Sequence, residues 1–351
     1  MFEIHREKVI NELKKSRIDG LLVTDNSNKF YLTGLELDGY WIIVTRNGIN
    51  ILTTKMLFGQ IKMLMNDIEI FYDCDNISGL VKCLKQNKIR TLGFDSNQIT
   101  VNLFNKLKKK LSDISLIELP DFIKKIRQIK TEYELNKIKH SCNIAVKTFK
   151  KIKEYIKPGM TEKQISNKII DILNEYNVNY SFPPIVASGS NSAYPHHLSS
   201  NKKIRTNDFV LIDLGCKYEG YCSDYTRTIF LGYSTDTTFK QIYKIYDIVK
   251  RAQLTVINNI KPGMIVSEID LSVRKIFKKY GYEKYFIHNT GHGIGIDIHE
   301  LPVVSRKSDT ILRSGIVITI EPGIYIPKIG GIRIEDTILI TEKGCEIITN
   351  D

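Results

Sequence analysis

The chain has 351 residues, 42% hydrophobic and 26% charged, an ordinary globular composition with more chain than one core usually organises, so two domains are expected. The net charge is +12, yet the basic residues are spread among apolar ones at helical spacing, as in Lys106–Lys110, Lys124–Lys130 and Lys150–Lys153; solvated helix faces explain them, which argues against a nucleic-acid partner. No apolar run reaches the ~18 residues of a membrane span, Met1–Ile10 lacks the apolar centre of a signal peptide, and the six cysteines form no C-x-x-C pair, so free thiols in the cytoplasm are expected.

Residues 2–18 read as an amphipathic helix with Phe2, Val9, Leu13 and Ile18 toward a core, stopped by Gly20. Short apolar runs at Leu21–Thr24, Trp41–Thr45 and Ile49–Thr53 read as strands, the last two joined by the Asn47-Gly48 turn. Helical and extended patterns alternate to about residue 117, as in a small α/β domain. Leu119-Pro120-Asp121 breaks the pattern before a charged helical stretch, Phe122–Ile156, interrupted near Lys130-Thr131. The expected division is therefore 1–122 and 123–351.

The second part repeats itself. Ile-Lys-Pro-Gly-Met occupies 156–160 and returns at 260–264, 104 positions later. Each copy follows a long helical segment (132–155 and 237–259) and precedes another helix, with Thr161 and Ser267 as expected N-caps and Thr161 with Gln164 as a capping box. Each half then offers an apolar strand ending in an acid: Phe209–Leu214 with Asp213, and Ile316–Ile320 before Glu321. A second acid follows in each, Asp224 and Glu335. A duplicated unit of this kind places its site between the halves.

Chemistry concentrates in these acids and in the histidines. A lone buried Asp is more often a cap or an ion-pair partner than a ligand. Four acids aimed at one point repel and require protons or cations. Arg333, on the same face as Glu335, can neutralise one of them but not four. His288, His292 and His299 fall within 12 residues, among Gly291, Gly293 and Gly295, and His196 and His197 follow Pro195 near the repeat-equivalent of His299. Four carboxylates with one imidazole balance two divalent ions. The oxygen-rich set favours Mn, Co or Fe, with Zn as a further alternative. A metal pair polarises a carbonyl and supplies hydroxide near neutral pH.

At Ile212-Asp213-Leu214-Gly215, Ser223-Asp224-Tyr225-Thr226-Arg227-Thr228, Gly291-His292-Gly293-Ile294-Gly295, Ile298-His299-Glu300, Thr319-Ile320-Glu321-Pro322-Gly323-Ile324-Tyr325 and Arg333-Ile334-Glu335-Asp336 the chain resembles the pita-bread metallopeptidases, in the aminopeptidase P and prolidase branch. The N-terminal part is similar to the creatinase-type N-domain through Tyr31-Leu32-Thr33-Gly34. The resemblance implies an α/β (α+β) protein: a small creatinase-type α/β domain, then a pita-bread domain with a pseudo-twofold internal repeat.

It also implies a metal-dependent peptidase that cuts between an N-terminal residue and proline in proline-containing peptides, with two divalent ions, Mn or Co first and Fe or Zn as alternatives. Asp213, Asp224, His292, Glu321 and Glu335 match the metal ligands, Asp224 and Glu335 bridging. Glu321 matches the proton shuttle, His196, His288 and His299 match histidines that orient substrate and stabilise the tetrahedral intermediate, and Arg333 and Tyr325 border the substrate. The rivals are another pita-bread hydrolase, of methionine aminopeptidase or creatinase type, or a non-catalytic pita-bread binding protein. One departure stands out: many prolidases carry an Arg soon after the His-Glu pair to hold a dipeptide's carboxylate, and Val303 occupies that place here, with Arg306 and Lys307 nearby. Finally, the resemblance implies a homodimer in which one subunit's N-domain borders the other's site. Tyr40 and Trp41 are either wall residues there or plain core.

Overall fold

The computed structural model describes residues 2–350, which form two compact units, one ending at Arg127 and the other starting at Gln128. The first unit runs α1 (Phe2–Lys15), β1 (Gly20–Val23), α2 (Asn26–Thr33), β2 (Trp41–Thr45), β3 (Ile49–Thr54), α3 (Lys55–Leu64), β4 (Glu69–Asp73), α4 (Asn76–Gln86), β5 (Thr91–Phe94), α5 (Val101–Lys110), β6 (Ser115–Glu118) and α6 (Phe122–Arg127). The six strands make one mixed sheet in the order β4-β3-β2-β1-β5-β6. The pairs β1–β2 and β2–β3 are antiparallel; β3–β4 and β5–β6, each joined over one helix, are parallel, as is the central pair β1–β5. Leu22, Ile43, Leu52, Leu80, Leu92 and Leu107 fill its core. The first helix is shorter than the 2–18 pattern; Ile18 is buried but beyond its end.

Tyr40 is fully buried in this unit. Its hydroxyl lies 3.0 Å from Thr33 Oγ1, and the Lys29 ammonium sits 4.6 Å from its ring centroid. Trp41 is half-buried and packs on the same unit's core. Tyr40 is therefore a core residue and cannot wall a neighbouring pocket.

The second unit starts with α7 (Glu132–Tyr155), set off from α6 by Thr131, which caps it and forms a capping box with Glu134. It continues through α8 (Glu162–Glu175), β7 (Asn179–Tyr180), β8 (Ile185–Ser188), β9 (Asp208–Leu214), β10 (Cys216–Tyr218), β11 (Tyr221–Cys222), β12 (Tyr225–Leu231), α9 (Thr237–Ile257), α10 (Val266–Lys279), β13 (Gly291–Gly293), β14 (Glu300–Val304), β15 (Val317–Ile320), β16 (Gly323–Ile326), β17 (Gly330–Arg333), β18 (Asp336–Ile340) and β19 (Cys345–Ile347). The repeat is real in space. Two helices, α7 with α8, cover the β12-β9-β8 sheet around Ile165, Ile169, Val210 and Ile212. The other pair, α9 with α10, packs around Val249, Val273, Ile318 and Ile338 with the β14-β13-β15-β18-β19 sheet. The second helices match closely, 14 residues each, and Thr161 caps α8 through the expected box with Gln164. Ser267 does not cap α10. The N-cap is instead Ile265, two residues earlier, whose backbone is bridged to Ile311. Thr161 is bridged in the same way, to Lys203, so the two halves share the backbone at this point and differ in whether the bridged residue carries a capping side chain.

The halves meet where β12 passes residues 333–337. Glu335 N donates to Thr226 O, Thr228 Oγ1 to Arg333 O, and Thr337 Oγ1 to Asp224 O. The segments that bear Asp224 and Glu335 are thus stitched to each other across the halves by backbone-directed bonds. As a test of the core assignment, Tyr40→Ala should destabilise the first unit by about 3 kcal/mol or more, the cost of emptying a large aromatic site. A melting temperature unchanged from wild type would contradict it.

Candidate metal centre

Asp213 and Asp224 reach one point through strand pairing. Asp213 in β9 faces Thr226 across the antiparallel pair, and Asp224 stands two residues before Thr226 on the same face. Gly215 lets the chain close this tightly; a Cβ there would sit 2.0 Å from Ser223 O. In the other half His292 lies on β13, held by its N–H to Thr319 Oγ1, and Gly291 beside it packs directly on the Thr319 carbonyl, 2.0 Å from where a Cβ would be. Glu321 follows β15 and Glu335 follows β17.

One cavity of about 430 Å³ receives them all: Asp213, Asp224, His292, Glu321 and Glu335, with His196, His288, His299 and Arg333 and the apolar Phe182, Ile185, Ile298 and Val303. Side-chain atoms of Asp224, His292 and Glu335 lie within 4.8 Å of one another, a metal-sized cluster. His292 Nε2 is 3.5 Å from Asp224 Oδ2 and 3.5 Å from Glu321 Oε1. Asp213 and Glu321 stand outside that mutual trio. Asp213 Oδ2 is held at 2.5 Å by Arg333 Nη2.

The electrostatics are those of a crowded acid site. Burial, then the charges of Asp213 and Glu321, push the Asp224 carboxyl well above the usual range; burial, then Asp224, does the same to Glu335. Glu321 is also raised, mainly by burial. Arg333 is the one Lys or Arg lining the cavity among the described residues. Even so, three carboxylate oxygens, Asp213 Oδ1, Asp224 Oδ1 and Glu335 Oε1, are buried with no hydrogen-bond donor. A buried carboxylate oxygen left bare is costly. Oxygen donors beside one imidazole are what hard or borderline divalent cations bind, so the residues fit metal ions.

A chain of donors fixes the rest. Arg333 Nη1 donates to Tyr325 Oη at 2.8 Å, Tyr325 lies 2.9 Å from His288 Nε2, and His288 Nδ1 donates to Asn289 O at 2.7 Å. Burial, then Arg333, lowers the His288 pKa to about 3, which favours the neutral ring with Nδ1 donating to Asn289 O. His299 meets the His292 ring edge-on at 4.3 Å, and burial, then His292, lowers it to about 4. His196 is an exposed wall of the cavity. Tyr325 does not line the cavity itself but orders Arg333 and His288 behind it. Neither Arg306 nor Lys307 lines the cavity, so neither replaces the missing Arg, and Val303, paired with His292 across the β13–β14 ladder, leaves an apolar wall there.

Two contributors were not singled out in the sequence. Thr226 donates to Glu335 Oε2 at 2.7 Å and accepts from Arg333 Nε at 3.3 Å, tying the two halves. It is the alternate residue to Asp224, a period-two signal that the strand pattern contains. Glu162, a buried acid at the start of α8, has no such signal.

Residues 5–129 match the creatinase/prolidase N-terminal domain and residues 136–342 match metallopeptidase family M24. The Xaa-Pro dipeptidase of Pyrococcus horikoshii is 38% identical over 346 residues, 98% of this chain and 96% of that protein. Among solved structures, an Xaa-Pro dipeptidase from Bacillus anthracis matches with a TM-score of 0.94 at 36% identity, covering 100% of this chain and 98% of the other. An X-Pro aminopeptidase from Thermotoga maritima matches with a TM-score of 0.86 at 30% identity, covering 97% and 98%. With a creatinase-type N-terminal domain ahead of a pita-bread domain, and a divalent-metal site at the meeting of its two halves, the chain belongs to metallopeptidase family M24.

Proposed function

We propose that the protein is a metal-dependent Xaa-Pro peptidase that removes an N-terminal residue from a following proline. The observation that carries this is the set of donorless buried carboxylate oxygens in a histidine-walled cavity, in a chain similar over nearly its whole length to proteins named Xaa-Pro dipeptidase. Asp213, Asp224, His292, Glu321 and Glu335 would hold two divalent ions, with Mn or Co favoured and Fe or Zn as alternatives. When bound, such ions polarise the scissile carbonyl and lower the pKa of a water at the site.

The chain's own residues supply the rest. An Xaa-Pro bond is a tertiary amide, and its proline nitrogen carries no hydrogen, so it must gain a proton to leave. Glu321, at the cavity and raised above the usual carboxylate range chiefly by burial, takes that proton from water and delivers it to nitrogen. Neutral His288 and His299, with His196 also lining the cavity, orient the peptide carbonyl and steady the charge that develops on it. Arg333 holds Asp213 and Tyr325 in place, and Tyr325 in turn sets the ring of His288. Val303 supplies no charge to clamp a dipeptide's carboxylate, which favours acceptance of substrates longer than a dipeptide. The same reading includes a homodimer and a cytoplasmic location; six thiols without a disulfide fit a reducing compartment. No helix of the described residues is long and apolar enough to cross a membrane.

A panel of Xaa-Pro, Xaa-Pro-Yaa and Met-Ala-Yaa peptides tests the reading. The first two should be cleaved at proline and the third spared, with activity lost to a chelator and restored by Mn or Co. Full activity in chelated enzyme, or preference for Met-Ala-Yaa, would contradict it. Glu321→Ala should cost several orders of magnitude in kcat, since ligand and proton carrier are lost together. His299→Ala should cost about 10²–10³-fold, the scale of one oxyanion partner. A Glu321→Ala enzyme with most of its kcat removes Glu321 from the mechanism.

A further inference from the structure

Outside the metal centre, one buried acid collects an unusual number of donors. Glu162 is the first residue of α8 and its side chain is fully shielded from solvent. Oε1 accepts from Ser188 N at 2.7 Å, Ser188 Oγ at 2.8 Å and Asn191 Nδ2 at 3.0 Å. Oε2 accepts from Ser200 Oγ at 2.6 Å, Ser200 N at 3.1 Å and His197 Nε2 at 2.8 Å. Burial alone would raise this carboxyl; donation from Ser200, Ser188 and His197 outweighs it and holds the group at about 2, so it stays ionised.

All of these donors belong to one segment, 188–200, and that segment carries His196. Its far side is gripped by the hairpin that bears Arg333: Gly331 N donates to Ser192 Oγ at 2.7 Å, and Arg333 Nη1 to Pro195 O at 3.4 Å. A Cβ at Gly331 would lie 2.3 Å from Ser192 O, so the approach is close enough to need glycine. Between these two grips the chain alternates, with Tyr194, His196 and Leu198 exposed and Pro195 and His197 turned inward. His196 lines the cavity while its neighbour His197 is anchored on Glu162.

The other half uses the same device. Asp270 on α10, also fully buried, accepts from Thr290 Oγ1 at 2.8 Å and Thr290 N at 3.2 Å and pairs with Arg274 Nε at 2.6 Å. Arg274 in turn donates to His288 O at 2.9 Å and Phe286 O at 3.2 Å. Twice, then, a buried acid on the second helix of a half ties down the segment that presents a cavity histidine. General packing does not require an ionised group for that purpose, and an ionised acceptor that saturates every donor fixes a loop more narrowly than an apolar contact does.

We propose that Glu162 is a positioning residue for substrate binding, acting through His197 and the two serines to hold His196 at the cavity wall. This rests on the reading of His196 as a histidine that orients the peptide. Glu162→Gln keeps the size of the side chain but turns an NH2 group toward donors. Three readouts on the metal-loaded enzyme follow. Amide hydrogen exchange in 188–200 should quicken while that in 286–300 stays as in wild type. The kcat/KM for an Xaa-Pro-Yaa peptide should fall about 10²-fold, the cost of misplacing a substrate contact by around 1 Å. Metal per chain should not change. Added to His196→Ala, Glu162→Gln should cost little more, because the group it positions is already gone. Multiplying losses in the double variant, or exchange in 188–200 equal to wild type, would overturn the proposal. If Glu162→Gln does not fold, His197→Ala carries the same cycle with five of the six donors left in place. If wild-type enzyme cleaves no Xaa-Pro peptide, the functional reading falls, and the exchange experiment still decides whether Glu162 orders the segment.

Discussion

Mutual repulsion among four carboxylates in one cavity is the constraint around which the second unit is organised. Asp213, Asp224, Glu321 and Glu335 share that cavity with Arg333 as its single permanent cation among the described residues. In water four such charges would separate. Here strand pairing brings Asp213 and Asp224 together, and the β15–β18 ladder sets Glu321 and Glu335 on the other side. The backbone can impose this because each segment is bonded into a sheet and stitched across the halves at Thr226, Thr228 and Thr337. Folding therefore stores an electrostatic cost that only protons or cations relieve.

From that cost the rest of the site follows. Arg333 takes up Asp213 and Thr226 takes up one oxygen of Glu335, which leaves Asp213 Oδ1, Asp224 Oδ1 and Glu335 Oε1 without a donor, beside the His292 ring. Of the histidines around them, His288 and His299 are lowered, by burial first and then by the charges of Arg333 and His292 respectively, which favours their neutral forms. The Glu321 side chain is more exposed than those of Asp213 and Asp224, which suits the two roles proposed for it, ligand and proton carrier. The buried acids of the second helices, Glu162 and Asp270, lie at the next remove, where ionisation is sustained by donors rather than by metal.

Much of this was legible in the sequence, and the reason is periodicity. The repeated Ile-Lys-Pro-Gly-Met, the apolar runs that end in Asp213 and before Glu321, and the clustered histidines are local patterns, and each lies where the pattern places it. Contacts between distant residues were not legible. Nothing near Asp213 shows that Arg333 pairs with it from the other half, and nothing near His197 shows that its ring serves Glu162 while His196 faces the cavity. Ser267 and Ile18 mark the same boundary: the capping position of α10 falls on Ile265, the bridged equivalent of Thr161, and α1 stops at Lys15 short of the buried Ile18. Tyr40, an aromatic at a strand start, gives one local signal for two fates, and only the surrounding Lys29 and Thr33 decide for the core.

The most direct test of the electrostatic account is thermal unfolding of Asp224→Asn with and without Mn. Burial and the neighbouring acids raise the Asp224 carboxyl above its unfolded value, so at neutral pH, above that unfolded value, the group costs the fold stability when no cation is bound. The metal-free Asn variant should therefore melt above metal-free wild type, and the order should reverse once Mn is added, because a ligand is missing. If Asp224→Asn lowers the melting temperature equally in both states, the acids are not held against their repulsion, and the central claim is wrong.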